Sequence, residues 1–146
     1  MTRSLWKALI VIGSLCLLSL LAVACGGGGE EGGPDTGAEG AAGSAERGGQ
    51  LFNQTVIGSR AAPGCMTCHS LEEGVTIVGP SMAGIASRAG EEVSGQPAEE
   101  YLHQSIVEPD AHVVEGFPAG VMYQNYNEDL SAQEIDDLVA YLLTLE

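Results

Sequence analysis

The sequence has few basic residues and many acidic ones. It contains 5 Lys and Arg against 20 Asp and Glu, which gives a formal net charge of −15 at pH 7. Arg3 and Lys7 lie close to the N-terminus, and the other three basic residues are Arg47, Arg60 and Arg88. Nucleic-acid binding needs a basic patch that neutralises phosphates, so this composition argues against it. The acidic excess favours solubility and attraction to a basic partner surface.

Cysteines are also few, and only two are available to a folded domain. Cys16 lies within an N-terminal apolar run and Cys25 follows that run, which leaves Cys65 and Cys68. One closely spaced pair offers no disulfide framework to an exported domain. The usual four-ligand zinc spacings also require further ligands that this sequence does not supply.

The N-terminus has the pattern of an export signal. Arg3 and Lys7 are followed by an apolar run over residues 9–21, and small residues then lead to Cys25. The segment resembles a bacterial lipoprotein signal, with Ala22 where that family prefers Leu. The resemblance implies that Cys25 is lipidated, and an uncleaved N-terminal transmembrane anchor is the alternative. Both predict a domain held at the extracytoplasmic, periplasmic face of a bacterial cell membrane.

Composition divides the chain into three parts. Residues 1–24 form the predicted export signal. Residues 25–45 begin with the cysteine and continue as a Gly- and Glu-rich stretch, and no aromatic or large aliphatic residue occurs between residues 26 and 50. Such a stretch cannot bury enough apolar surface to offset its chain entropy, so it is predicted to be a flexible tether. Residues 46–146 then have the length of one small domain.

The most informative motif is PGCMTCHS, residues 63–70. It is compatible with a redox dithiol, half of a zinc site or covalent haem attachment. A thioredoxin-type dithiol lies at a strand-to-helix junction, and no strand is predicted before Cys65. Two cysteines at this spacing can instead bond the two vinyl groups of one haem while the adjacent His69 binds its iron. The motif therefore predicts one covalent haem c, attached through Cys65 and Cys68, with His69 as the proximal ligand.

Hydrophobic periodicity predicts an all-α domain with four or so short helices. One helix is predicted over residues 46–57, one or two helical turns over residues 81–90, and a stronger helix with Pro97 at its first position. The last helix begins with a capping box, in which Ser131 is the N-cap and Glu134 lies three residues later. So few short helices make a poor core for about 100 residues, which favours a chain wrapped around a large apolar cofactor.

These features together resemble a small, single-haem class I cytochrome c across residues 46–146. In that family a glycine and an aromatic residue of the first helix pack across an aromatic residue of the last helix. Gly48, Phe52 and Tyr141 match these positions. The stretch SIVEPDAHVVEGFPAGVM, residues 105–122, is also similar to the cytochrome domain fused to some cytochrome oxidase subunits II.

The resemblance implies roles for four residues after the cysteine motif. Gly79-Pro80 matches the family's Gly-Pro, whose proline carbonyl accepts the Nδ1–H of the proximal His and orients it. Met82 falls where the family packs an aliphatic side chain on the haem. Arg88 falls where a basic residue approaches a haem propionate.

The resemblance also implies that Met122 is the sixth ligand of the iron. It lies within residues 109–130, which are predicted to be irregular, at the place where the family carries its distal Met. The family commonly has Pro directly after this Met, and here the residue is Tyr123. His103 and His112 are the rival ligands; His103 is predicted to be a surface residue on a helix, and His112 leaves bis-His coordination open.

The predicted function is that of an electron-transfer protein rather than an enzyme. The resemblance implies a single-electron carrier in a respiratory or photosynthetic chain that shuttles electrons between membrane complexes. Its acidic domain should seek basic docking surfaces on a quinol-oxidising complex as donor and on a terminal oxidase as acceptor. The alternatives are a fixed electron-entry subunit of one oxidase or dehydrogenase complex, and a haem protein with an open sixth position for catalysis or gas binding.

Overall fold

The computed structural model describes residues 42–146. The predicted export signal, Cys25 and residues 25–41 of the predicted tether lie outside the described residues. Their assignments, and the division of the chain into three parts, therefore stay predictions. Between residues 42 and 146, no helix is both long and apolar enough to cross a membrane.

Short α-helices dominate the described residues, as predicted, together with one small antiparallel sheet. The sheet pairs β1 (Val56–Ile57) with β2 (Ala62–Pro63). A 3-10 turn, Cys65–Thr67, follows β2 almost directly. The α-helices of this part of the chain are α1 (Ala45–Phe52), α2 (Ile85–Glu92), α3 (Ala98–Val107), α4 (Tyr126–Asp129) and α5 (Ala132–Leu142).

Two sequence predictions about the start of the domain are wrong. The first helix ends at Phe52 rather than at residue 57, because Asn53 caps it with a backbone N–H that bonds the carbonyl of Gly49. The two residues of β1, which the pattern assigned to that helix, pair with β2 instead. A strand therefore does precede Cys65. It belongs to an isolated two-residue ladder, however, and not to the α/β sheet that a thioredoxin-type site requires.

The later helix boundaries follow their capping signals. The Ser131 hydroxyl accepts the backbone N–H of Glu134 at 3.3 Å, and the Glu134 carboxylate accepts the backbone N–H of Ser131 at 2.8 Å, so the predicted capping box is confirmed. Pro97 lies one residue before α3 rather than at its first position. The turns predicted over residues 81–90 are present as α2, and α4 is a single turn inside the stretch predicted to be irregular.

The first and last helices cross at unusually short range. A Cβ atom placed on Gly48 would lie 1.8 Å from the backbone carbonyl oxygen of Asp137, so only glycine allows this approach. Beside the crossing, the rings of Phe52 and Tyr141 pack with centroids 5.4 Å apart. The predicted packing of Gly48 and Phe52 against Tyr141 is therefore confirmed, and it explains a helix-disfavouring glycine in α1.

The apolar face of α5 forms much of the core. Ile135, Leu138, Val139 and Leu142 are buried, which is the i, i+3, i+4, i+7 pattern of an amphipathic helix. This helix packs on α1 and on α3, and α3 packs in turn on α2. These contacts connect α1, α5, α3 and α2 in one continuous packing arrangement.

A buried carboxylate links α5 to the start of α1. Asp137 is only 4% exposed. Its oxygens accept the backbone N–H of Ser44 at 2.7 Å, Nε of Arg47 at 2.7 Å and Nε2 of Gln133 at 3.0 Å. Burial alone would raise the pKa of Asp137, but these hydrogen bonds outweigh it and hold the pKa below its ordinary value.

Asp137→Asn is expected to lower the free energy of unfolding by about 1.5–3 kcal/mol, because an amide cannot replace an ionised acceptor for Arg47. Asp136→Asn removes the same charge from an exposed neighbour and is the matched control. Because the folded-state pKa of Asp137 is depressed, the stabilisation is present above the unfolded-state pKa, about 3.9, and is lost as pH falls through the folded-state value. Urea unfolding at pH 7 and at decreasing pH measures both effects. Equal losses in the two variants would contradict the assignment.

Candidate functional site

A cavity of about 330 Å³ opens among the described elements. All five α-helices contribute to its wall, as do the cysteine turn and the loop between α3 and α4. Most of the lining side chains are apolar or aromatic, which is typical of a site for an organic cofactor. Residues at the wall that were not predicted as site residues include Tyr101, Leu102, Ile106, Phe117, Tyr126 and Leu138.

The structure brings the predicted site residues within the described range to this one cavity. They come from three separate segments of the chain, and no local pattern requires those segments to meet. The seven are Cys65, Cys68, His69, Pro80, Met82, Arg88 and Met122. Their roles toward the cofactor stay predictions, and the predicted lipid acceptor Cys25 lies outside the described residues.

A tight turn sets the spacing of the two cysteines. The backbone N–H groups of Cys68 and His69 both bond the carbonyl of Cys65, at 3.1 and 3.0 Å. The turn is fixed to the preceding chain because the N–H of Gly64 bonds the carbonyl of Thr55 at 2.9 Å. Both cysteines and the histidine are half-buried and line the same cavity.

The cysteine environment argues against a redox dithiol. Burial raises the pKa of the Cys65 thiol to about 11, so this group stays protonated at neutral pH. Reactive dithiols depend on the opposite effect, a lowered pKa that gives a thiolate nucleophile. A protonated Cys65 thiol against an apolar cavity fits permanent attachment to a cofactor better than thiol exchange.

His69 is prepared as a metal ligand by its neighbours. Its Nδ1 donates to the carbonyl oxygen of Pro80 at 2.8 Å, so the lone pair of the neutral ring is on Nε2. Burial lowers the pKa of His69, and the hydrogen bond to Pro80 only partly opposes this, which keeps the ring neutral. Gly79 leaves room for the ring, since a Cβ there would lie 2.5 Å from Cε1 of His69.

Met82 and Arg88 line the cavity near the start of α2. Met82 is 9% exposed and belongs to the core. The Arg88 guanidinium donates to the carbonyl of Ser81 at 2.7 Å and to that of Ala83. These bonds hold the cation at the wall, where an anionic group of a cofactor can approach it.

Met122 and His112, one of the two alternative ligands, line the cavity. Met122 is half-buried in the wall, in the loop between α3 and α4. His112 lies in the same wall, with its Nε2 3.8 Å from a carboxylate oxygen of Glu92. Its ring packs edge-on against that of Tyr101, with the ring centroids 5.7 Å apart. His103 is exposed and is not part of the wall, in agreement with its prediction as a surface residue.

Sequence reasoning missed a polar cluster beside the Met122 loop. Tyr123 donates its hydroxyl to Asp129, whose other oxygen accepts from Arg60, and Arg60 also pairs with Glu128 at 2.7 Å. Arg60 and Asp129 are 69 residues apart in the sequence, so no local pattern links them. Glu128 and Asp129 are adjacent acidic residues, and nothing in the sequence indicates that the carboxylate of Asp129 is buried.

The residues at the cavity fit a covalently attached haem. Two thiols at the required spacing, a neutral imidazole, a thioether and a fixed guanidinium line an otherwise mostly apolar wall. A zinc site fits less well: among residues 42–146, no group of three or more His, Cys, Asp or Glu side chains is arranged to hold a metal ion.

Comparison with known proteins agrees with this fit. The family model described as cytochrome c matches residues 45–146, more than two thirds of the chain. No curated protein sequence gave a significant match. Members of the matched family are typically electron-transfer proteins that bind haem c covalently. The chain therefore belongs to the cytochrome c family, and it is a haem-based electron carrier with a covalently bound haem c.

Proposed function

We propose that this chain carries single electrons between membrane complexes of a respiratory or photosynthetic chain, through a haem ligated by His69 and Met122. The observation that supports this best is that both side chains line the same cavity although they are 53 residues apart in the sequence. A nitrogen and a sulfur ligand together leave no coordination position open to a substrate, which suits a carrier better than an enzyme.

The residues around the cavity suit rapid, reversible electron transfer. When bound, the haem supplies iron that alternates between the ferric and ferrous states. The Pro80 carbonyl fixes the His69 ring, so this ligand does not have to reorient during transfer. The Met122 thioether favours the ferrous state, as does the apolar wall, because both disfavour additional positive charge. The acidic surface opposes this effect.

Charge distribution supports a basic partner. The described domain has three arginines, and each is engaged in the fold: Arg47 with Asp137, Arg60 with Asp129, and Arg88 with backbone carbonyls. Most of the carboxylates, in contrast, are exposed. A donor or acceptor with a basic docking surface would therefore be attracted over a distance of about 10 Å at moderate salt.

The proposed location is the outer face of a bacterial cell membrane, with a lipid on Cys25 as anchor. The predicted tether before Ser44, which is the N-cap of α1, would have an r.m.s. reach of ~25 Å, longer if its acidic charges repel. Such a reach keeps the effective concentration near membrane complexes high while the domain moves between them. A subunit that is permanently fixed to one complex does not need a tether of this reach.

The test uses liposomes in which the full-length lipidated holo-protein is the only link between a quinol-oxidising complex and a terminal oxidase. We expect quinol-dependent oxygen consumption that requires the protein and falls as ionic strength rises. Co-purification with one complex in fixed ratio, without turnover when added separately, would instead indicate a fixed subunit. A high-spin ferric spectrum would indicate an open sixth position.

A pair of charge variants makes the docking part of this test specific. Glu72→Gln with Glu73→Gln removes two exposed carboxylates close to the cysteine motif. Glu99→Gln with Glu100→Gln removes two exposed carboxylates from α3. Because the net charge changes equally, a larger loss of rate and of salt dependence in the first pair is expected if docking occurs beside the cysteines. Equal losses would mean that only net charge matters.

A further inference from the structure

The segment 118–124, which carries Met122, is held by side chains rather than by its backbone. Among the described residues, no backbone–backbone hydrogen bond involves residues 118–124. Asp110 accepts the backbone N–H of Gly120 at 2.8 Å, and Gln124 donates to the carbonyl of Met122 at 2.8 Å. Both bonds are exposed, so water competes for their donors and acceptors.

Of the three side-chain hydrogen bonds of the segment 118–124, that of Tyr123 is partly shielded from solvent. Its hydroxyl donates to Oδ2 of Asp129 at 2.6 Å. The pKa of Asp129 is lowered, first by this hydrogen bond and then by Arg60, so the acceptor is an ionised carboxylate. A hydrogen bond to an ionised acceptor is stronger than one between neutral groups.

Asp129 is a rigid anchor for this bond. Its side chain is fully buried, and its Oδ1 accepts from Nε of Arg60. Its backbone carbonyl accepts the N–H of Ser59 at 2.9 Å. The anchor is thus attached both to α4 and to the chain segment that leads into the cysteine motif.

The ring of Tyr123 adds a second connection to the cysteine side of the cavity. It packs edge-on against Tyr126 with centroids 5.0 Å apart. The Tyr126 hydroxyl donates to the carbonyl of Pro63 at 2.6 Å, two residues before Cys65. Removing only the hydroxyl of Tyr123 would leave this ring contact in place.

We propose that Tyr123 is a positioning residue, which holds Met122 in place through its hydrogen bond to Asp129 and, behind it, Arg60. This proposal rests on Met122 being the sixth ligand. A segment that makes no backbone–backbone hydrogen bonds, as residues 118–124 do not, samples open conformations. The fraction of open molecules sets how readily an external ligand replaces Met122. The Tyr123 hydroxyl lowers that fraction.

The test is Tyr123→Phe in the full-length holo-protein, titrated with imidazole in the ferric state and followed optically. We expect roughly tenfold tighter imidazole binding, the size of effect that one hydrogen bond to a charged acceptor typically supports. We also expect a weaker far-red sulfur-to-iron charge-transfer band. Neither readout changes if the hydroxyl contributes only to overall stability.

Glu128→Gln is the matched control. Glu128 belongs to the same cluster through Arg60 but is mostly exposed. Imidazole affinity is expected to stay within about twofold of wild type, as for other exposed pairs of small energy. If Glu128→Gln raised imidazole affinity as much as Tyr123→Phe, the net charge of the cluster rather than the Tyr123 hydroxyl would control the position of Met122. That result would overturn the proposed role of the hydroxyl.

The remaining outcomes separate this proposal from the ligation on which it rests. If wild type shows the far-red band and Tyr123→Phe binds imidazole with unchanged affinity, Tyr123 does not position Met122. If wild type lacks the band, the ligation and the positioning role are both wrong.

Discussion

Replacing both Cys65 and Cys68 by serine is expected to give a chain without covalent haem and without a stable fold. Side chains of all five helices line the cavity, so the core depends on a group that fills it. Without the haem, the apolar side chains that line this cavity would be exposed to water, and the burial that they contribute to the fold would be lost. The net stability of a small domain is only about 5–15 kcal/mol, so this loss is expected to unfold the chain.

The Cys65 and Cys68 variant is measured by haem staining after denaturing electrophoresis and by far-ultraviolet circular dichroism. Met66→Leu is its control, because Met66 lies between the two cysteines but is 42% exposed. This control should retain covalent haem and a cooperative thermal transition. Covalent haem in the double serine variant, or a cooperative fold without haem, would contradict the expectation.

Gly48→Ala is expected to weaken the packing of the first helix on the last by several kcal/mol. The added Cβ would lie 1.8 Å from the Asp137 carbonyl oxygen and 2.8 Å from Cβ of Tyr141. Overpacking typically costs about 1–3 kcal/mol when side chains can rotate away. Here the closest neighbour is backbone, so the helices themselves must separate and the loss should exceed that range.

Gly90→Ala provides the same substitution at a permissive place. Gly90 lies within α2, and a Cβ there would meet its nearest neighbours at 3.8 Å, an ordinary contact. Because alanine favours helix over glycine, this variant should be stabilised by up to about 1 kcal/mol. Chemical denaturation of both holo-proteins measures the contrast. A Gly48→Ala protein as stable as Gly90→Ala would show that the crossing is not close-packed.

Local signals in the sequence predict much of this domain. The capping box at Ser131 and the apolar periodicity of α5 specify the last helix, because both act within a few residues. The spacing of Cys65, Cys68 and His69 specifies the chemistry of the site for the same reason. Resemblance to a family then supplies long-range contacts, such as that of Gly48 with α5, which periodicity alone does not contain.

The sequence does not predict interactions that depend on distant partners. The strands β1 and β2 have two residues each, too short for an alternating pattern to appear. Asp136 and Asp137 are adjacent and chemically identical, but only Asp137 is buried. Its hydrogen-bond partners, Ser44 and Arg47, lie about 90 residues earlier in the sequence, so no local pattern distinguishes the two aspartates. The anchoring of Tyr123 belongs to the same class.

The measurement that tests the account most directly is the optical spectrum of the ferric holo-protein beside that of Met122→Ala. We predict a weak far-red sulfur-to-iron charge-transfer band in the wild type that is absent from the variant. The band would identify Met122 as the ligand opposite His69. A low-spin spectrum without the band would indicate His112 as the ligand instead, and the reduction potential would then be lower than with Met122. A high-spin wild-type spectrum would contradict the electron-carrier proposal.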